Sequence, residues 1–308
     1  MLAAISNAWT EQLLASGGDL HALVGEAAAL GARHVELRMG SLGRCETGSG
    51  TPGTGYRPGD VGAPGDPLWR PVLPELRALA DAYPHLTFNL AVSLRIYADP
   101  VDPQGEQMAL AIEAARLLGE HDMPACCRLF SVGRCSYRRG WGAGRPPSPL
   151  PPDWATVGPF CGPHLRMVDP QCRDTWLTES DVPAAAVDNL VALAEETIGR
   201  HGVRLSIENS GGLGFASMGL LLAMARRRLP PDQAAELGLC FDPTNPVMGG
   251  LPGDEMDELA ALPADMLMIA HFKQCVDRAM IPTVAEGDVD FGRYLPCPEL
   301  CWRWVVVF

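Results

Sequence analysis

Three apolar runs in the second half of the chain each end in one ionisable side chain. RLSI runs into Glu208-Asn209, LGLCF into Asp242, and MLMIA into His271. The three groups are 34 and 29 residues apart, about one strand–helix repeat each. Parallel strands closed into a barrel gather their C-terminal ends on one rim, where such proteins build their sites. Two carboxylates and an imidazole meeting there suit a hard or borderline divalent cation: Mn²⁺, Mg²⁺, Co²⁺ or Zn²⁺. Singly, each has a plainer reading. A carboxylate after a strand commonly caps a helix or a turn, and a lone His is commonly a hydrogen-bonded structural group. Repeat spacing at one structural level favours the ligand reading.

Side chains alternate along a strand, so neighbours of the same parity share a face. Lys273 follows His271 by two and is placed to meet a substrate oxygen or phosphate, or to stand solvated on the rim. Glu36 and Arg38 end an earlier strand on one face, as candidates to bind substrate hydroxyls or a carboxylate; an internal ion pair is the competing reading.

The elements that must position these groups alternate along the chain. Strands are predicted at 2–6, 34–38, 86–94, 125–132, 203–207, 237–241, 266–270 and 304–308. Helices are predicted at 20–30, 74–83, 104–120, 184–201, 216–228 and 254–262, with a short one at 291–301. Near-continuous apolar strands separated by helices mean a parallel sheet covered on both faces. Eight such units suggest a (β/α)₈ barrel, in the α/β class, forming one domain over residues 1–308. An open dinucleotide-binding sheet needs a Gly-rich turn after an early strand, and SNAWTEQ is no such turn. Residues 40–67 and 133–183, rich in Gly, Pro and Arg, read as two long loop insertions, the second carrying a turn of its own.

Composition agrees with one large core: 47% of the 308 residues are hydrophobic and 20% charged. A formal charge of −13 disfavours nucleic acid as a partner. The ten cysteines include no Cys-x-x-Cys pair; Cys126-Cys127 and Cys297-x-x-x-Cys301 are the nearest groupings. They read as small buried hydrophobes in a reducing cytosol. The first residues lack the basic start of a secretory signal, and no run of about 20 apolar residues is present to span a membrane. The expected location is the cytoplasm.

The segments LSIENSGG, LCFDPTNP, IAHFKQ and AEGDVDF, in this order, resemble the sugar-phosphate isomerase/epimerase branch of the xylose-isomerase-like TIM barrels. The similarity covers about 182–291 and extends to SNAW and GARHVELR in the first 40 residues, but not to the long loops. It implies an isomerase or epimerase acting on a small sugar or sugar phosphate, moving a proton next to a carbonyl with one divalent metal ion. Glu208, Asp242 and His271 then take three ligand roles, with Glu208 also the acid/base. Asn245 falls where relatives often carry a His that touches metal or substrate.

A fourth ligand, a Glu, is expected after the last strand. Here the chain reads WVVVF and stops, with no eighth helix, and Glu286 or Glu299 is the available substitute. Pro296 and Pro298 also disturb the preceding helix. An uncovered last strand invites a homo-oligomer. Two further readings stay open: a non-catalytic binding module on an incomplete barrel, and a phosphodiesterase resembling AP endonucleases. The second needs many His ligands, and seven His are present.

Overall fold

Runs of Val, Ile, Leu and Phe bounded by Gly, Pro and polar residues dictate where the strands form. The computed structural model describes residues 2–5, 20–38, 69–94, 96, 101–119, 126–131, 178–209, 214–248, 258–259, 261–277, 279–281, 286–293 and 305–307. Its strands are β1 (Leu2–Ile5), β2 (His34–Arg38), β3 (Thr87–Leu94), β4 (Cys126–Ser131), β5 (Arg204–Glu208), β6 (Leu237–Phe241), β7 (Leu267–Phe272), β8 (Gln274–Val276), β9 (Ala279–Ile281) and β10 (Val305–Val307). Eight of them pair in parallel in the order β1-β10-β7-β6-β5-β4-β3-β2, and β1 also pairs with β2, so the ring closes. All eight lie where the sequence predicts strands.

The helices are α1 (Leu20–Ala29), α2 (Trp69–Ala82), α3 (Glu106–Leu118), α4 (Ala184–Ala194), α5 (Phe215–Arg226), α6 (Pro231–Ala235) and α7 (Thr244–Met248). Gly31, at φ 92°, stops α1 in the left-handed conformation that glycine adopts without strain. The amides of Gly31 and Ala32 then close onto the carbonyls of Ala28 and Ala27, both at 3.0 Å.

Several boundaries differ from expectation. Pro74 does not open α2; it sits inside a helix that begins at Trp69. Pro71 falls in the first turn, where a missing N–H costs nothing, so the earlier start is allowed. The helix expected over 184–201 is α-helical only to Ala194 and continues as a π-type turn over Glu195–Arg200. At 178–183 the second long loop carries a 3₁₀ turn, Glu179–Asp181, whose Asp181 carboxylate accepts from the Thr178 amide at 2.8 Å. The rest of both insertions, most of 254–262 and residues 294–301 lie outside the described residues. The β8–β9 hairpin, α6 and α7 were not foreseen. The hairpin loop opens with Asp277 at φ 50°, which Asp tolerates without the usual glycine signal.

The core fills the space between barrel and helices, with Leu, Val and Phe side chains of the strands' outer faces packed under α1 to α5. Phe241 of β6 stands edge-on between Phe215 of α5 and Phe272 of β7, at centroid distances of 5.9 and 6.3 Å. Its neighbours Cys240 and Asp242 therefore point the other way, into the barrel. β6 and β7 slip by one residue: Leu239 pairs with Leu267, but Cys240 pairs with Ile269. The bulge advances β7, bringing His271 level with Asp242 instead of one step above it. Gly238 permits the close approach, since a Cβ there would lie 2.6 Å from the Met266 carbonyl oxygen. Among the described residues no helix is long and apolar enough to cross a membrane.

Candidate metal centre

The strand ends bring polar side chains together inside the upper barrel. Glu36, Glu208, Asp242 and His271 are all buried to 2% exposure or less. His271 Nδ1 lies 3.7 Å from Glu208 Oε1 and 4.0 Å from Asp242 Oδ2. Its other ring nitrogen, Nε2, donates to Glu36 Oε2 at 3.2 Å. The carboxylate only accepts, so a neutral His271 carries its proton on Nε2 and turns the Nδ1 lone pair toward Glu208 and Asp242.

Behind this imidazole runs a chain of buried partners. Asn89 Nδ2 donates to Glu36 Oε2 at 2.9 Å, which leaves Asn89 Oδ1 to accept from His34 Nε2 at 2.7 Å. His34 Nδ1 in turn accepts from Thr87 Oγ1 at 2.9 Å. Burial drives the His34 pKa down to about 4, so the ring is neutral at neutral pH. A folded pKa below the unfolded value means the unfolded chain binds more protons between about pH 6.5 and 4. Stability falls through that window as pH falls, by on the order of 3 kcal/mol from this group. Urea titrations at stepped pH check this: the stability difference between wild type and His34→Gln shrinks across the window, and a flat difference contradicts it.

At the rim, three strand ends are tied into one unit. Asn209 and Asp242 exchange a reciprocal pair: Asn209 Nδ2 to the Asp242 carbonyl at 2.9 Å, and the Asp242 amide to Asn209 Oδ1 at 2.7 Å. Asp242 Oδ1 accepts from the amides of Thr244 and Asn245, at 2.9 and 3.1 Å, capping the short helix α7. The plain capping reading of Asp242 and its place in the cluster thus hold together, because the two carboxylate oxygens divide the tasks. Oδ2 faces Lys273 Nζ at 2.8 Å. Asn245 donates to Glu208 Oε1 at 2.8 Å and accepts from Lys273 Nζ at 2.7 Å.

The structure therefore assembles Glu208, Asp242, His271, Asn245 and Lys273, and adds Glu36 behind His271. Lys273 is buried against Asp242 and Asn245, unlike a solvated rim lysine. Glu36 has an internal ion pair, with His271 as the partner; the Arg38 side chain lies outside the described residues. Glu286 is exposed and does not join the cluster, and Glu299 lies outside the described residues. Sequence reasoning missed Asn89, His34 and Cys240. Of these only His34 carried a signal, a polar group two residues before Glu36 and of the same parity on β2; Asn89 and Cys240 sit inside apolar runs. Cys240 is buried and free, in line with the reading of the cysteines as buried groups, and its Sγ lies with ligand atoms of Glu208 and His271 within 4.8 Å of one another.

The electrostatics fit a cation. Three buried carboxylates, Glu36, Glu208 and Asp242, face one ammonium, Lys273, among the described residues. Buried carboxylates that outnumber the cations around them are costly inside a protein unless balanced. Burial alone would favour neutral His271, yet Cys240, Glu36 and Glu208 hold its pKa well above the usual range. Burial raises the Asp242 carboxyl; Lys273 opposes this and Glu208 adds to it. Both shifts describe a cluster short of positive charge, which a divalent ion would supply.

No family model matches the sequence, and no curated protein matches it. Solved structures do share the fold. A probable 3-DHS dehydratase, AsbF, involved in petrobactin synthesis from Bacillus anthracis, superposes with a TM-score of 0.59 at 12% identity, over 100% of this chain and 92% of that one. A xylose isomerase domain containing protein from Salmonella typhimurium gives 0.54 at 13% identity, over 100% and 87%. The chain has the α/β fold of xylose-isomerase-like structures. At such identities the likeness is one of fold, and the site must be argued from its own residues.

Proposed function

We propose that this chain is a divalent-metal-dependent isomerase or epimerase that moves a proton next to the carbonyl of a small sugar or sugar phosphate. The observation that carries the reading is the convergence of Glu208, Asp242 and His271 at the strand ends, with the charge imbalance described above. A bound divalent cation supplies Lewis-acid polarisation of the substrate's carbonyl and hydroxyl oxygens. Glu208, Asp242 and His271 are the residues to hold it, and Glu36 orients His271 as a carboxylate partner commonly does for a metal-bound imidazole.

Glu208 also takes the proton from the carbon beside the carbonyl and returns it to the neighbouring carbon, or to the other face of the same one. Asn245 fixes the Glu208 carboxylate. Lys273 adds a fixed positive charge where the substrate's oxygen becomes negative, and Arg38, which ends β2, is assigned to substrate hydroxyls or a carboxylate. Burial keeps water from competing for the same donors.

The test is a screen of aldoses, ketoses and their phosphates with the purified chain in D₂O, followed by NMR. Expected is exchange of the hydrogen next to the carbonyl, abolished by a chelator and restored by a divalent metal. Exchange that a chelator leaves untouched counts against metal dependence. No exchange or conversion with any member of the screen counts against the sugar reading.

The Glu36 role makes its own prediction. Glu36→Gln keeps the shape and an acceptor for His271 Nε2 but removes the charge that makes Nδ1 a better donor to metal. Metal affinity is expected to fall about 10- to 100-fold with the melting temperature little changed, as followed by calorimetric titration. Unchanged affinity shows that Glu36 does not tune the centre.

A further inference from the structure

We propose that Cys240 is a thiolate ligand of the divalent ion, and that it makes this centre select zinc or cobalt over magnesium. The inference rests on the reading of the cluster as a metal centre and names the ion it takes.

Geometry puts the sulfur there. Cys240 pairs directly with Glu208 across β5 and β6, and alternation gives it the same inward face as Asp242. Cys240 is fully buried, and no disulfide occupies its sulfur. Donor atoms bound to one ion lie about 3–4 Å apart, given bonds of about 2.0–2.3 Å. The ligand atoms of Glu208, Cys240 and His271 already fall within 4.8 Å of one another.

Asp242 stays in the set: one of its oxygens caps α7, and the other, Oδ2, lies 2.8 Å from the Lys273 ammonium and makes no hydrogen bond among the described residues. The thiol of Cys240 adds a sulfur on the same inward face, beside the ligand atoms of Glu208 and His271.

Ligand chemistry then sets the preference. Magnesium demands oxygen donors, whereas thiolate with imidazole and carboxylate suits zinc and cobalt. Coordination releases the Sγ–H proton to solvent and leaves the sulfur as thiolate, so binding liberates one proton from Cys240.

The test loads the apo chain with Co²⁺ and records its absorption spectrum, then repeats the measurement on Cys240→Ser and the control Cys275→Ser. Expected is a sulfur-to-cobalt charge-transfer band in the near ultraviolet, present in wild type and Cys275→Ser and lost in Cys240→Ser. Zinc affinity of Cys240→Ser is expected to drop about 100-fold or more, with magnesium affinity nearly unchanged. Wild-type cobalt protein without that band overturns the proposal, whatever the variants do, and leaves the metal reading standing. So does tight binding of magnesium alone. A wild-type chain that binds no divalent ion at all overturns both.

Discussion

Replacing Glu208 by Gln is expected to lower kcat/KM by about 10³-fold on the substrate found in the exchange screen. The amide keeps the volume of the carboxylate and an oxygen to accept from Asn245, so the barrel should fold. What it loses is the negative charge that faces His271 Nδ1 at 3.7 Å, and the oxygen that takes the substrate proton. Two readouts separate these losses. Metal content reports the ligand role, and exchange in D₂O at saturating metal reports the acid/base role. A variant that retains the wild-type exchange rate removes Glu208 from the chemistry.

Phe241→Ala is the second large effect, and it acts through packing. The ring is fully buried between Phe215 and Phe272, and Phe272 meets Phe291 at 4.9 Å. Truncating such a ring leaves a cavity and costs about 3–5 kcal/mol, to be read from equilibrium unfolding in urea. The ring also fixes which way β6 turns, because Cys240 and Asp242 flank it on the opposite face. Metal affinity should therefore fall together with stability. A loss under about 1 kcal/mol means that the aromatic row does not anchor the strand.

The eight barrel strands were legible because each is an apolar run bounded by turn residues, and a buried parallel sheet leaves that mark. Glu208, Asp242 and His271 were legible for the same reason: an ionisable residue at the end of an apolar run stands out. What lay inside the runs did not. Asn89 in TFNLAVSL and Cys240 in LGLCF break no pattern, and only register shows that they face the barrel interior. The Glu36–His271 pair joins residues 235 positions apart, and no local spacing encodes it. The bulge that sets His271 level with Asp242 depends on how close β6 and β7 approach at Gly238. A glycine in a strand hints at such an approach without saying which neighbour it serves.

The same limits explain the helix boundaries. Proline ordinarily opens a helix, which points to a start at Pro74, whereas burial of Leu76, Leu79 and Ala80 in the core holds α2 together through it. The hairpin β8–β9 was hidden because its turn uses Asp277 where glycine or Asn-Gly is the usual sign.

If buried groups from β5, β6 and β7 grip one divalent ion, that ion survives desalting. Elemental analysis of the chain, equilibrated with a mixture of zinc, cobalt, manganese and magnesium and then desalted, checks this. One equivalent of divalent metal per chain in wild type, and almost none in His271→Ala, is the expected result. A wild-type chain that retains no metal, or a His271→Ala variant that keeps its full equivalent, contradicts it.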